Sequence, residues 1–156
     1  MSRVGESRCR QRARGIALCT GFGTFVAQVV EIELDKDGAV RPIRIDCAID
    51  CGIAVNPDGV RAQMESGIIF GLSGVLFGEI TLKGGHVEQT NFGDYRVLRI
   101  NEAPLIRVHL ISSGEGPGGV GEPGTSCVMP ALTNAVFAAT GKRIRKLPLG
   151  DQLKTG

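Results

Sequence analysis

Glycine is the residue that most constrains how this chain can fold. The sequence has 23 glycines among 156 residues, about 15% against a usual share of about 7%. They show no three-residue period, which excludes a collagen helix. They concentrate in a helix-like stretch, 63–78, and in a glycine-rich run, 112–124. In both places we expect the backbone to approach another backbone or a ligand closely.

Length and composition are typical of one globular domain. Hydrophobic residues make up 42% and charged residues 22% of the chain, which excludes wholesale disorder. The longest uncharged apolar run is shorter than the about 20 residues that a membrane-spanning helix needs. No signal peptide follows the basic start. We predict no membrane span and a cytoplasmic location, with export alongside a partner left open.

Basic residues cluster near both ends, within 1–14 and 142–146. Aromatic residues make up only 4%, so the stacking platform of single-stranded nucleic-acid binders is not indicated. We predict no nucleic-acid partner. The predicted organisation is a basic flexible arm at 1–14, a domain at 15–148 and a polar tail at 149–156.

The five cysteines are an odd number without a secretory segment, which indicates reduced thiols. Cys47 and Cys51 lack the second pair or nearby histidine of a zinc site. We expect them to be small buried hydrophobes on one strand face. His86 and His109 lie far apart in the sequence, and we predict no metal ion held by protein ligands.

Alternating residues predict strands over 15–35, 40–49 and 105–111, with a turn at Asp37-Gly38 and a small hairpin around Gly84-Gly85. The second half of the first region alternates between an apolar set (Phe25, Ala27, Val29) and a polar set (Thr24, Gln28, Glu31, Glu33). The segment 91–104 is typical of a loop. With the helices below, these strands predict an α+β fold of paired strands and two main helices.

Two helices are predicted. The first begins at Asn56-Pro57 and carries an apolar stripe of Val60, Met64, Ile68, Leu72, Val75 and Leu76. Its adjoining face carries Gln63, Gly67, Gly71, Gly74 and Gly78, a pattern that fits either tight helix packing or close approach of a ligand. The second is expected over 128–140, with Pro130 in its first turn and Gly141 closing it.

The loop 112–124 has neither the glycine spacing of a dinucleotide fingerprint nor the Gly-Lys-Ser/Thr of a P-loop. It contains Glu122, which Pro123 is expected to hold in an extended conformation. An acid fixed there is a candidate general base. The alternative is an exposed carboxylate stabilised by the dipole of the following helix.

Several ordered motifs resemble the C-terminal part of the molybdopterin-binding large subunit of the xanthine dehydrogenase and aldehyde oxidase family. They are similar in particular to the large subunit of isoquinoline-oxidoreductase-type enzymes. The motifs are Gly-Val-Gly-Glu-Pro-Gly at 119–124, Pro-Ala-Leu-x-Asn-Ala at 130–135, Ala-Ala-Thr-Gly at 138–141, Val-Asn-Pro at 55–57, Gln63, Asn-Phe-x-Asp-Tyr at 91–95 and Leu-Arg at 98–99. The resemblance covers 15–148, and Ser66 stands where that family commonly has glycine.

The resemblance implies that Glu122 is the catalytic base of a molybdenum-dependent hydroxylase that oxidises an aldehyde or N-heterocycle with water-derived oxygen. It implies that Gln63, Gly118, Gly119, Val120 and Gly121 lie at the cofactor. That cofactor is a molybdenum-molybdopterin, expected in its cytosine dinucleotide form and shared with domains not in this chain.

The resemblance further implies two partners: the remainder of the molybdopterin-binding subunit, and a subunit that carries the iron–sulfur clusters. A chain of this length is expected to be inactive alone. The alternatives are a non-catalytic interaction or assembly module, including a homo-oligomer, and a truncated remnant of that subunit.

Overall fold

Two tight turns fold the first third of the chain into a three-stranded antiparallel sheet. The computed structural model, which describes residues 11–153, places β1 at Gln11–Gly21, β2 at Thr24–Leu34 and β3 at Val40–Asp50. The predicted strand region 15–35 is therefore a hairpin. Its turn at Phe22-Gly23, which the sequence analysis missed, has φ of 56° and 74°, the positive values of a two-residue hairpin turn.

The chain then crosses over to add a parallel strand. After β3 come α1 (Pro57–Phe77), the small hairpin of β4 (Leu82–Lys83) and β5 (His86–Val87), a 3₁₀ turn (Ile100–Glu102), β6 (Leu105–Ile111) and α2 (Pro123–Thr140). The sheet order is β1-β2-β3-β6, and β6 runs parallel to β3. The predicted α+β fold of paired strands and two main helices is confirmed.

The start and the core face of α1 follow the sequence prediction. The Asn56 side chain accepts a hydrogen bond from Gly59 N at 3.0 Å, and Pro57 is the first helical residue, where its missing N–H removes no helix bond. All six residues of the predicted stripe are buried: Val60, Met64, Ile68, Leu72, Val75 and Leu76. They form one core with α2 and the inner face of the sheet.

α2 begins at Pro123, not at Val128 as predicted. Proline is favourable at the first position of a helix. Glu122 therefore has helical backbone angles (φ −103°, ψ −23°), and its predicted extended conformation is wrong. Pro130 lies inside the helix instead of in its first turn. The carbonyl that Pro130 leaves unbonded belongs to Ser126, and both residues are exposed, so water can replace the missing donor.

The burial of β2 alternates, but the two predicted sets do not match its two faces, because Glu31 and Glu33 lie on the same face as Phe25. The side chains that face the core are Thr24, Val26, Gln28, Val30 and Ile32, whereas Phe25 is 58% exposed. Thr24 donates to Gly119 O at 2.7 Å, and Gln28 donates to Gly124 O at 3.0 Å. Hydrogen bonds of this kind make buried polar groups tolerable.

The described core extends past both predicted domain boundaries. β1 starts at Gln11, so the last residues of the predicted arm belong to the sheet. Leu149 is buried, and its N–H donates to Val75 O at 2.7 Å, so the core also includes the start of the predicted tail. The remaining parts of the arm and the tail, 1–10 and 154–156, lie outside the described residues.

α1 and α2 cross at two glycines. A Cβ on Gly71 would lie 2.5 Å from Val128 Cγ1 and 2.9 Å from Thr125 O. A Cβ on Gly67 would lie 3.2 Å from Thr125 Oγ1, and that hydroxyl donates to Gly67 O at 3.0 Å. Of the two interpretations left open for the glycine face, helix packing holds for Gly67 and Gly71.

Gly71→Ala should lower the free energy of unfolding by about 1–3 kcal/mol, because its methyl group overpacks the crossing. Gly74→Ala is the matched control, since a Cβ there would meet Met129 Cε at 3.3 Å, the end of a flexible side chain. Alanine at that position gains about 1 kcal/mol of helix propensity. Urea unfolding of both variants measures the difference, and equal stabilities would show that the crossing is not tight.

Candidate cofactor and active site

The glycine-rich loop lies directly against the β1–β2 turn. Gly118 N donates to Cys51 O and Gly119 N donates to Phe22 O, both at 2.8 Å. A Cβ on Gly118 would lie 2.5 Å from Thr24 Oγ1, and one on Gly119 would lie 2.8 Å from Phe22 Cβ. Glycine is therefore required at both positions, because neighbouring atoms of the protein leave no room for a Cβ. The N–H groups of both glycines are already hydrogen-bonded within the protein.

Glu122 lies where this loop enters α2, opposite α1. It lines a cleft of about 430 Å³ whose other lining residues are Gln63, Ser66, Gly67, Phe70, Gly121, Thr125 and Ser126. Glu122 and Gln63, far apart in the sequence, thus face one cavity. Both are exposed. The described residues do not bury Glu122.

Gln63 also lines a second cleft, of about 290 Å³, together with Gly118 and Val120. Residues at the start of α1, Asn56 and Gly59, form its far wall. The two clefts therefore share Gln63, and each lies beside the N-terminus of a helix, where the helix dipole favours negative charge.

The structure brings five of the six predicted site residues around these clefts: Gln63, Gly118, Val120, Gly121 and Glu122. Gly119 lines neither cleft and lies instead against Phe22. A Cβ on Gly121 would meet no described atom within 4 Å, as is also true of Gly114 and Gly116 earlier in the loop, but only Gly121 of these three lines a cleft described here.

Sequence analysis missed the polar side chains that hold this loop. From β2, Thr24 bonds to Gly119 in the loop and Gln28 bonds to Gly124 in the first turn of α2. Thr125 of α2 bonds that same turn to α1. A signal existed: Thr24 and Gln28 share a strand face with Val26 and Val30. Polar residues on an otherwise apolar face indicate specific hydrogen-bond partners.

The two histidines lie away from the clefts. His86 is exposed in the small hairpin. His109 Nε2 lies 3.6 Å from Asp46 Oδ1, and the hydrogen bond from Arg44 at 2.7 Å lowers the pKa of Asp46. Across residues 11–153 no group of three or more His, Cys, Asp or Glu side chains could hold a metal ion.

The four described cysteines are unpaired thiols, and Cys47 and Cys51 are buried as predicted. Burial raises the pKa of the Cys47 thiol to about 11. Burial, with the neighbouring Cys19 thiol adding to it, raises the pKa of Cys127 to about 12. Cys19 is half-buried, and its Sγ lies 3.4 Å from Ser126 Oγ beside the larger cleft.

Brief iodoacetamide treatment of the folded chain at pH 8 should label Cys19 and leave Cys47 and Cys127 unmodified. The thiolate is the reactive form, and at pH 8 only about a thousandth of a thiol of pKa 11 is ionised. Peptide mapping by mass spectrometry gives the site of labelling, with urea-unfolded chain as the control in which all thiols react. Rapid labelling of Cys47 or Cys127 in the folded chain would contradict the burial described.

Comparison with known proteins identifies the family. Residues 7–104 match the family described as a molybdopterin cofactor-binding domain, and this match spans well over half of the chain. The chain belongs to the molybdopterin cofactor-binding domain family. Gln63 lies within the matched residues, whereas Glu122 lies after them.

Curated relatives support the assignment to this domain family. Isoquinoline 1-oxidoreductase subunit beta of Brevundimonas diminuta is 36% identical over 142 residues, which are 90% of this chain and 18% of the relative. The membrane-bound aldehyde dehydrogenase [pyrroloquinoline-quinone] of Gluconacetobacter polyoxogenes is 37% identical over 83% of this chain and 17% of its own length. The xanthine dehydrogenase molybdenum-binding subunit of Escherichia coli is 32% identical over 82% of this chain and 18% of its own length. This molybdopterin-binding domain thus spans less than a fifth of the length of these relatives.

Solved structures show the same fold as this molybdopterin-binding domain. Quinoline 2-oxidoreductase from Pseudomonas putida 86 superposes with a TM-score of 0.77 at 23% identity, over 83% of this chain and 18% of that one. The Cu,Mo-CO dehydrogenase superposes with a TM-score of 0.74 at 24% identity, over 83% of this chain and 18% of that one. The resemblance to molybdenum hydroxylases found in the sequence is confirmed. Neither described helix is long and apolar enough to span a bilayer.

Proposed function

We propose that this domain forms one wall of the cofactor and active site of a molybdenum-dependent hydroxylase. The enzyme would oxidise an aldehyde or an N-heterocycle with oxygen derived from water. The observation that carries the proposal is the single cleft lined by both Gln63 and Glu122, in a chain of a molybdopterin-binding family. Since the domain spans only 18% of such a relative, we expect it to be inactive alone.

The residues around the two clefts fit a molybdopterin. The Gln63 amide can both donate to and accept from the ring amide groups of a pterin. The open side of Gly121 allows a flat group to approach the backbone. The N-termini of α1 and α2 favour the phosphates of a dinucleotide form. Val120 and Gly118 would line the cofactor, with the N–H of Gly118 already used inside the protein.

When bound, the molybdenum cofactor would supply the redox centre that accepts the electron pair removed from the substrate. Glu122 would supply the base: its carboxylate takes the proton from the water-derived oxygen as that oxygen attacks the substrate carbon. A neighbouring domain would complete the cleft and exclude bulk water.

The proposed partners are the remainder of the molybdopterin-binding subunit and an iron–sulfur subunit that receives the electrons. Two of the relatives are themselves named as subunits, isoquinoline 1-oxidoreductase subunit beta and the xanthine dehydrogenase molybdenum-binding subunit. The cytoplasmic location predicted from the sequence belongs to this proposal as well.

Glu122→Gln should reduce turnover of the assembled enzyme by at least about a hundredfold, the usual contribution of a general base, and leave assembly intact. Glu115→Gln is the matched control, because Glu115 is an exposed acid of the same loop outside both clefts. Steady-state rates and the molybdenum content of the purified complex are measured together. Unchanged turnover in a complex with full molybdenum content would remove Glu122 from the mechanism.

A second candidate function, an assembly module without catalysis, is favoured by one observation. The outer face of the sheet exposes Ile16 (62%) and Leu18 (71%) on β1, and Phe25 (58%) on β2 lies diagonally across from Leu18. Exposed apolar patches mark interaction surfaces. The same surface would also serve the first proposal, as a contact with the rest of a hydroxylase.

A tagged pull-down from the native host, with molybdenum and iron analysis, separates the two candidates. A complex that contains molybdenum and a larger subunit supports the hydroxylase. A metal-free homo-oligomer, from cells that make active molybdoenzymes, supports the assembly module and contradicts the first proposal.

A further inference from the structure

Two buried polar side chains of β2 hold the segment that carries Glu122 at both of its ends. Thr24 Oγ1 donates to Gly119 O at 2.7 Å, and Gln28 Nε2 donates to Gly124 O at 3.0 Å. Thr24 is 1% exposed and Gln28 is not exposed at all. Glu122 lies between the two accepting carbonyls, so it is the middle of a short arc with fixed ends.

Gln28 is an unfavourable residue for its position if only the core is considered. Its Oε1 has no hydrogen-bond partner among the described residues, and a buried unpaired carbonyl destabilises a fold. The neighbouring positions on the same face are Val26 and Val30, so an apolar side chain fits there. The Gln28 amide therefore indicates a requirement other than core stability.

The hydrogen bond from Gln28 locates α2 more than it stabilises the helix. Gly124 is the second residue of α2, where a carbonyl already accepts the bond of the helix itself. The additional bond ties this first turn to the middle of β2, 96 residues away in sequence.

At the other end of the arc both backbone polar groups of Gly119 are bonded. Its N–H donates to Phe22 O at 2.8 Å, and its carbonyl accepts from Thr24. Between the two ends, Gly121 and Glu122 are exposed to the cleft. Nothing described packs on Gly121 within 4 Å of a Cβ position. Val120 packs against the core, and the Glu122 carbonyl accepts from Thr125 N at 2.9 Å, so the order of Gly121 and Glu122 depends on how the loop and the first turn of α2 are docked on β2.

We propose that Thr24 and Gln28 are positioning residues, which hold the Glu122 carboxylate in the cleft that it shares with Gln63. The proposal rests on the role of Glu122 given above and deepens it. Neither side chain lines the cleft; both act through the backbone of the arc, from the core side of the sheet.

The test uses Thr24→Val and Gln28→Met in the full chain, which keep the approximate shapes and remove the two donors. Thr133→Val is the matched control, because it removes a hydroxyl-to-carbonyl bond within α2, to Pro130 O, away from the arc. Amide ¹⁵N relaxation gives the order parameters of Gly121 and Glu122. We expect them to fall from about 0.85 to below about 0.6 in the two variants and to stay unchanged in the control.

The melting temperature separates positioning from general stability. Gln28→Met also removes the unpaired Oε1, so its melting temperature should equal or exceed that of the parent chain. Unchanged order parameters in both variants would overturn the proposal, as would a lower melting temperature of Gln28→Met with an ordered arc. These readouts need no turnover, so they remain informative if Glu122 proves not to be the base.

In the assembled enzyme, Gln28→Met should lower kcat about tenfold with KM unchanged, the effect of a misplaced catalytic group. It should cause no further loss when Glu122 is already replaced by Gln. A mobile arc with unchanged kcat would overturn the positioning role, whereas full activity of Glu122→Gln would overturn the proposed function instead.

Discussion

The close crossing of α1 and α2 is the contact on which the candidate site depends. Gln63 lies one turn before Gly67 on α1, and Glu122 directly precedes α2. Because Gly67 and Gly71 present no side chain, Thr125 of α2 can lie against the backbone of α1 and donate to it. A side chain at the crossing would separate the helices, and with them the two walls of the cleft. Glycine on this helix thus allows close helix packing, and this packing sets the width of the cleft.

Elements specified by neighbouring residues were predictable from the sequence. Asn56-Pro57 and a continuous apolar stripe define α1, and β6 has the predicted bounds, 105–111. The burial of Thr24 and Gln28 in β2 was harder to predict, because it depends on hydrogen bonds to backbone carbonyls 95 and 96 residues later in the sequence. α2 begins earlier than the sequence predicts, because Pro123 does not precede the helix but is its first residue, a position at which proline is favourable.

The candidate site, too, was predictable only in part. Motif resemblance located Glu122 and Gln63, and their common cleft is consistent with that resemblance. The glycines of the loop divide into two kinds that the sequence does not distinguish. Gly118 and Gly119 lie against the β1–β2 turn, whereas Gly121 borders open space. Which glycine lies against the protein and which borders open space depends on contacts between distant segments, and only the folded chain shows them.

The docking of α2 on β1 has a consequence for how the chain acquires this fold. Asn134 donates to Ile16 O across 118 residues of sequence, and Gln11 donates to Ala139 O across 128. Topologies built on such distant pairs fold slowly. During synthesis the inner face of the first hairpin, with Val26 and Ile32, stays uncovered by α2 until that helix, Pro123–Thr140, has been made. Throughout that interval aggregation competes with folding, so the helix that follows Glu122 also protects the chain from aggregation by covering the apolar inner face of the sheet.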